Sequence, residues 1–263
     1  MPLLAYVGKK QKEAVGCTHN MDLRVVLVEP LYQGNVGSVT RAMKNFGFSD
    51  LILVNPCKLE GEARAMSSHA RDLLESARKV SSLEEAIEDC SIVIGTTGIA
   101  GSRFDLHLRV PGYTPGEMKD RLSGIDGKVA VLFGREDNGF TKEELKKCDM
   151  IMTIPTSDVY PVMNLSHAVA VVLYEFSSIV SGDTPLADPF DIRLLYDHLS
   201  ELLDDIDYPE HKKEKTDLML RRIFGRACLM PREVQTLRGI LRKVQRTCQA
   251  EDEQQGTSAA NDD

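Results

Sequence analysis

None of the six cysteines (Cys17, Cys57, Cys90, Cys148, Cys228 and Cys248) stands in a CxxC pair or at a metal-ligand spacing. That usage argues against a disulfide scaffold or a zinc module, and it fits reduced thiols in a cytosolic protein. No His/Cys/Asp cluster has the look of a metal-ligand set, so no metal is expected. Long apolar runs are also missing. The run "AVAVVLYEF" from Ala168 falls far short of the roughly 20 residues that span a bilayer, so no membrane association is expected. The first residues lack the charged, apolar and small-residue order of a signal peptide. Two nucleotide fingerprints are absent as well. The loop after the first apolar run has neither the Gly-Lys-Ser/Thr ending of a P-loop nor GxGxxG, and no internal repeat is visible.

Positive charge is scarce overall, with a formal net charge of −8 over 263 residues. Taken alone, that argues against a generic nucleic-acid binder. The charge is unevenly spread, however. Between Pro209 and Gln249, eleven Lys and Arg face four acids, a local +7, which leaves −15 for the remainder.

Short runs rich in Val, Ile and Leu occur at 24–28, 51–54, 92–94, 129–133 and 151–154. Helical patterns separate them at about 38–47, 62–79, 83–88 and 141–147, and a last one follows at 164–180. Continuous apolar strands alternating with helices predict an α/β domain with a parallel sheet covered on both faces. The expected organisation is a mobile arm over 1–20, this domain over 21–182, and a linker over 183–188. A basic all-helical extension over 189–249 and a disordered acidic tail over 250–263 complete it. The extension should hold helices at 189–205, at 209–224 and from Pro231, a residue suited to a first helical turn.

Three loops carry chemistry. "PLYQGNVGSVTRAMKNFG" (30–47) reads as a strand exit, a glycine loop and a helix start. Gly34 and Gly37 would let backbone approach a ligand, and the helix N-terminus favours an anion. On that helix Ser38, Arg41 and Asn45 share one stripe, while Val39, Met43 and Phe46 share an apolar one. Arg41 is then either an anion-holding residue or a solvated arginine beside an ordinary loop. "VLFGREDNGFTKEEL" ends a strand at Phe133 and turns between Gly134 and Gly139, with Thr141 and Glu144 as a capping box. It places Glu136 at a strand's carboxyl end, where open α/β sheets hold ligands. "IPTSDVYPVMNLSHAVAVVLYEF" leads from a strand into an apolar helix opened by Asn164, Leu165 and Ser166. There His167, set among Ala and Val, is expected to be structural and buried. A smaller signal is "IVIGTTG", whose strand ends in Thr96, Thr97 and Gly98.

Taken together, "GNVGSVTRAMKNFG", "LFGREDNGFTKEEL" and "MNLSHAVAVVLYE" resemble the SPOUT superfamily of RNA methyltransferases, in the branch acting on ribose 2′-hydroxyls. The sequence is most similar there to the TrmJ-type tRNA methyltransferases, which modify position 32 of the anticodon loop, and the resemblance covers residues 22 to about 180. It implies a trefoil knot near the end of the domain, a homodimer, and S-adenosylmethionine as cofactor. By motif match it assigns catalytic roles to Asn35, Arg41, Glu136 and Asn164. It assigns cofactor contacts to Thr96, Thr97, Gly98, Gly134, Ile154, Pro161, Val162 and Met163. The family often has a serine two residues before the asparagine. Val162 stands there instead, so no hydroxyl role is available at that position. Arg41 is expected to hold the phosphate beside the target ribose and stabilise the developing alkoxide; an arginine is a poor general base.

The basic extension answers the charge objection, because phosphate contacts supply most nonspecific RNA affinity. Arg221, Arg222 and Arg226 on one helix, and Arg238, Arg242 and Arg246 on the next, are the expected RNA-facing residues, against a merely solvated basic face. Two other readings stay open: ribosomal RNA as substrate, and an RNA-binding protein of this fold without activity. A dinucleotide-binding enzyme is set aside, since the second strand runs into Asn55-Pro56 rather than an acid.

Overall fold

The computed structural model describes residues 21–98 and 111–259, with side chains as far as residue 247. The expected arm over 1–20 and the end of the tail lie outside the described residues. Seven parallel strands form the main sheet: β1 (Leu23–Val28), β2 (Asp50–Val54), β3 (Arg78–Val80), β4 (Ile92–Thr96), β5 (Gly112–Tyr113), β7 (Val129–Phe133) and β8 (Met150–Met152). Their spatial order is β3-β2-β1-β7-β4-β8-β5. A second, two-stranded sheet pairs β6 (Ile125–Asp126) with β9 (Thr184–Pro185).

The apolar runs are continuous because the main sheet is covered on both faces. All six residues of β1 are buried. Val25 and Leu27 pack toward one layer and Val26 and Val28 toward the other, as the strand's period of two requires. The first layer holds α1 (Gln33–Phe46), α2 (Gly61–Ser67), α3 (Arg71–Ser76), α5 (Pro115–Leu122) and α7 (Leu165–Phe176). The opposite layer holds α4 (Leu83–Ile87) and α6 (Lys142–Lys146). Each fully buried Val, Leu or Ile contributes about 1.5–3 kcal/mol to this arrangement.

Two local expectations change. Helix α1 begins at Gln33, so the supposed glycine loop is its first turns, with Gly34 and Gly37 inside the helix. The segment 62–79 is not one helix. It breaks at Ser68, whose φ of 52° is left-handed, into α2, a 3-10 turn over Ser68–Ala70, α3 and then β3. The two-residue strands carry too little pattern to be read from sequence.

After β9 the chain is helical: α8 (Pro189–Asp205), α9 (Glu210–Ala227) and α10 (Pro231–Ala259). Pro189 and Pro231 start their helices, as proline at a first turn should. Leu195, Leu229, Val234 and Ala187 form a separate small core for this extension. Helix α10 continues past position 250 into the stretch expected to be unstructured, where Ala, Glu and Gln are good helix formers.

Candidate active site

Strands β7, β4 and β8 are neighbours and parallel, so the loops that follow them emerge side by side at one edge of the sheet. Cross-ties bind the strand ends together. Thr96 Oγ1 donates to the Leu132 carbonyl (2.9 Å), and the Thr97 amide donates to the Met152 carbonyl (2.9 Å). A cavity lies between the three loops. Thr96, Thr97 and Gly98 line it from β4, and Gly134 and Glu136 from β7. Ile154, Pro161, Val162 and Met163 line it from the loop after β8. All eight residues expected to contact the cofactor therefore line one cavity. Gly134 has no room for a side chain, since a Cβ there would stand 2.6 Å from the Gly139 backbone. Gly98 faces Val162, whose Cγ2 would be 3.3 Å from such a Cβ.

Three of the four expected catalytic residues form one hydrogen-bonded chain. Asn35 Nδ2 donates to Glu136 Oε1 (2.9 Å), and Asn164 Nδ2 donates to Asn35 Oδ1 (3.0 Å). The Glu136 carboxylate also accepts from the amides of Leu31 (2.8 Å) and Tyr32 (3.3 Å), just before α1. Tyr32 is the N-cap of α1 and has no side chain able to cap it, so a distant loop supplies the anion. Asn164 caps α7 through its Oδ1, which accepts from the Ser166 amide (2.9 Å) and hydroxyl (2.8 Å). These residues tie two helix starts and the β7 loop together.

Arg41 stands apart. It is exposed on the outer stripe of α1, while Val39 and Met43 are buried on the inner one, as the helical period requires. It does not line the cavity. It lies six positions beyond Asn35, which is roughly 9 Å along a helix axis. Among the described residues its side chain has no hydrogen bond or ion pair.

Sequence reasoning missed Arg135. It lines the cavity, but its guanidinium is held by Glu29 (2.8 Å) and by Glu144 through two bonds of 2.9 Å. Those bonds push its pKa further above the usual arginine range. The doubled charge pattern "GRED…KEE" was the available signal. His167, expected to be buried, is exposed, because α7 buries Val169, Val172, Leu173 and Phe176 and turns position 167 outward.

The extension also departs from expectation. Arg222 does not face solvent: it is 5% exposed, and its Nη2 donates to the Leu145 carbonyl (2.9 Å). Arg221 pairs with Asp149 (3.2 Å), and Arg238 pairs with Asp191 (3.2 Å). Arg226 is half-buried, whereas Arg242 and Arg246 are exposed. Helix α9 thus turns Arg221 and Arg222 toward the rest of the chain.

Residues 22–174 match the model of the SpoU rRNA Methylase family, spanning β1 to α7. The chain belongs to the SpoU methylase family. Residues 190–254 match a second model, the C-terminal domain of the tRNA methyltransferase TrmJ, so both parts of this family member have counterparts. It is 41% identical over 223 residues to the tRNA (cytidine-2′-O-)-methyltransferase TrmJ of Methanocaldococcus jannaschii, covering 82% of this chain and 96% of that one. It is 36% identical to the tRNA (cytidine/uridine/adenosine-2′-O-)-methyltransferase TrmJ of Pseudomonas aeruginosa, covering 85% and 94%. The crystal structure of TrmJ from Z. mobilis ZM4 superposes with a TM-score of 0.68 at 30% identity, over 84% of this chain and 98% of that one.

Proposed function

We propose that this chain is a tRNA ribose 2′-O-methyltransferase that uses S-adenosylmethionine and acts on position 32 of the anticodon loop. The observation that carries the reading is the Asn35–Glu136–Asn164 chain, which fixes the helix bearing Arg41 to the edge of the three-loop cavity. The relatives named above act on tRNA, and the TrmJ-type extension favours tRNA over ribosomal RNA.

The cavity suits this cofactor by its chemistry. Phe133, Phe140, Ile154 and Leu165 give apolar walls for an adenine ring. Arg135 is committed to two carboxylates, while Glu136 and Asp137 add negative charge. That set disfavours a polyphosphate and accepts a cationic sulfonium. When bound, S-adenosylmethionine supplies an already activated methyl group. The protein's task is then to place the ribose hydroxyl in line and to stabilise the alkoxide as its proton leaves. Arg41 does this by holding the adjacent phosphate.

Its distance along α1 from the cavity edge supports action on the cavity of a second subunit. Tyr174 on α7 is 65% exposed and packs edge-on against Phe46 of α1 (6.1 Å), an apolar face suited to a homodimer. The family's trefoil threading and a cytoplasmic location, where tRNA resides, belong to the same reading. Among the described residues no helix is long and apolar enough to cross a membrane.

Labelled S-adenosylmethionine with unmodified tRNA or ribosomal RNA, followed by nucleoside mass spectrometry, tests this. A 2′-O-methylated nucleoside at position 32 of tRNA, lost in Arg41→Ala, is expected. Label in ribosomal RNA alone would overturn the substrate. Absence of both transfer and cofactor binding would favour an RNA-binding protein without activity.

A further inference from the structure

Helix α9 crosses the start of β8 at very close range. A Cβ on Gly225 would stand 2.5 Å from the Cβ of Asp149 and 2.8 Å from its carbonyl oxygen. Only glycine permits that approach without moving a strand. Asp149 is 4% exposed, and its Oδ2 accepts from the Val93 amide of β4 (2.8 Å). Its Oδ1 receives Arg221 Nη1 (3.2 Å) and the Tyr196 hydroxyl (3.4 Å), the latter from α8. The Arg221 guanidinium also lies over the Tyr196 ring, 4.3 Å from its centroid. One residue on, Arg222 is bonded to the carbonyl of Leu145.

One anchor point is part of the cavity's wall and the other leads into it along a strand. Leu145 lines it, and β8 runs from just after Asp149 to Met152, two residues before Ile154, which also lines it. The arginines of α9 therefore grip the catalytic domain, while Arg242, Lys243 and Arg246 on α10 remain exposed.

We propose that Arg221, Arg222 and Gly225 are positioning residues that fix the extension against the cofactor cavity's wall, so that RNA held by α10 meets the cavity in one geometry. The proposal rests on the tRNA methyltransferase reading above. A tethered but undocked extension would still bind RNA, yet it would lose the effective concentration that a fixed geometry supplies.

The test uses the full chain as Gly225→Val, Arg221→Ala and the conservative Arg221→Lys. Three quantities are read: cleavage by a protease between residues 181 and 189, KM and kcat for tRNA, and the Kd for S-adenosylmethionine by calorimetry. The first two variants should be cut faster and show a KM for tRNA raised about tenfold or more, with kcat and cofactor Kd within about twofold of wild type. Arg221→Lys should recover part of the KM, since it keeps the ion pair and loses the planar stacking on Tyr196. Faster cleavage with an unchanged KM would overturn the inference, as would a drop in kcat and cofactor affinity together, which would signal general unfolding. An inactive wild-type enzyme would instead sink the methyltransferase reading itself.

Discussion

Glu136 shows how a residue read as catalytic can act by holding others. Its carboxylate accepts from Leu31, Tyr32 and Asn35, and an amide in its place would turn one end's lone pairs into donors facing N–H groups. Glu136→Gln is therefore expected to cost about 1–3 kcal/mol of stability. Thermal melting should show it, with methyl transfer lost at temperatures where the variant is still folded. Cysteine chemistry gives a second residue-scale outcome. Burial pushes the Cys90 and Cys148 thiols up to about 12, while Cys57 is only partly buried, its pKa raised by that burial and by the nearby Glu136 carboxylate. Brief alkylation at pH 8 should label Cys57 and spare Cys90 and Cys148 until the protein is unfolded, as peptide mass spectrometry would report. At the amino ends of the strands, burial would raise the Asp89 pKa. The bonds from Arg24 and Lys128 outweigh it and hold the carboxyl well below the usual carboxylate range. A depressed folded pKa stabilises the fold above the unfolded value and is lost as pH falls through the folded one. Asp89→Asn should thus lower the melting temperature at pH 7, with the gap from wild type narrowing as the pH falls below the usual carboxylate range.

At the scale of elements, α1 rests on a missing side chain. A Cβ on Gly37 would lie 2.2 Å from the Ala63 carbonyl of α2, which is backbone and has nowhere to go. Gly37→Val should cost about 1–3 kcal/mol or more and tilt α1, so a lower melting temperature should accompany lost activity. From sequence, two glycines in five residues look like a loop, because glycine is a poor helix former in isolation. Their use as a contact surface between two helices depends on a neighbour, α2, that arrives some 25 residues later. The α6 start was legible for the opposite reason. Thr141 and Glu144 make a capping box with bonds confined to four residues, so nothing distant can change it.

For the whole molecule, the proposed catalytic set is split. Asn35, Glu136 and Asn164 meet at the cavity edge, and Arg41 stands exposed beyond it. If a second subunit supplies the arginine, disturbing the apolar face must also disturb catalysis. Tyr174→Lys is expected to weaken self-association by about tenfold or more in sedimentation. Activity should then fall with dilution in step with the dimer population, while cofactor binding persists. A fully active Tyr174→Lys monomer would contradict action across subunits.

The sequence by itself determined the α/β class, the five principal strands and the membership of the cavity-lining loops. Those features depend on local patterning: uninterrupted apolar runs bury on both faces, and motif residues at strand ends converge wherever parallel strands are neighbours. Only the tertiary structure decided which way each patterned surface turns. Periodicity places Arg221 and Arg222 side by side on one turn of α9, with Arg226 a turn further on, but it cannot tell whether that face meets water or Asp149 and Leu145. The same applies to His167, turned outward on an apolar helix, and to Gly37, buried against α2. A helix carries its own stripes in its sequence, whereas the partner that covers a stripe is chosen by chain segments far away, through contacts no local pattern encodes.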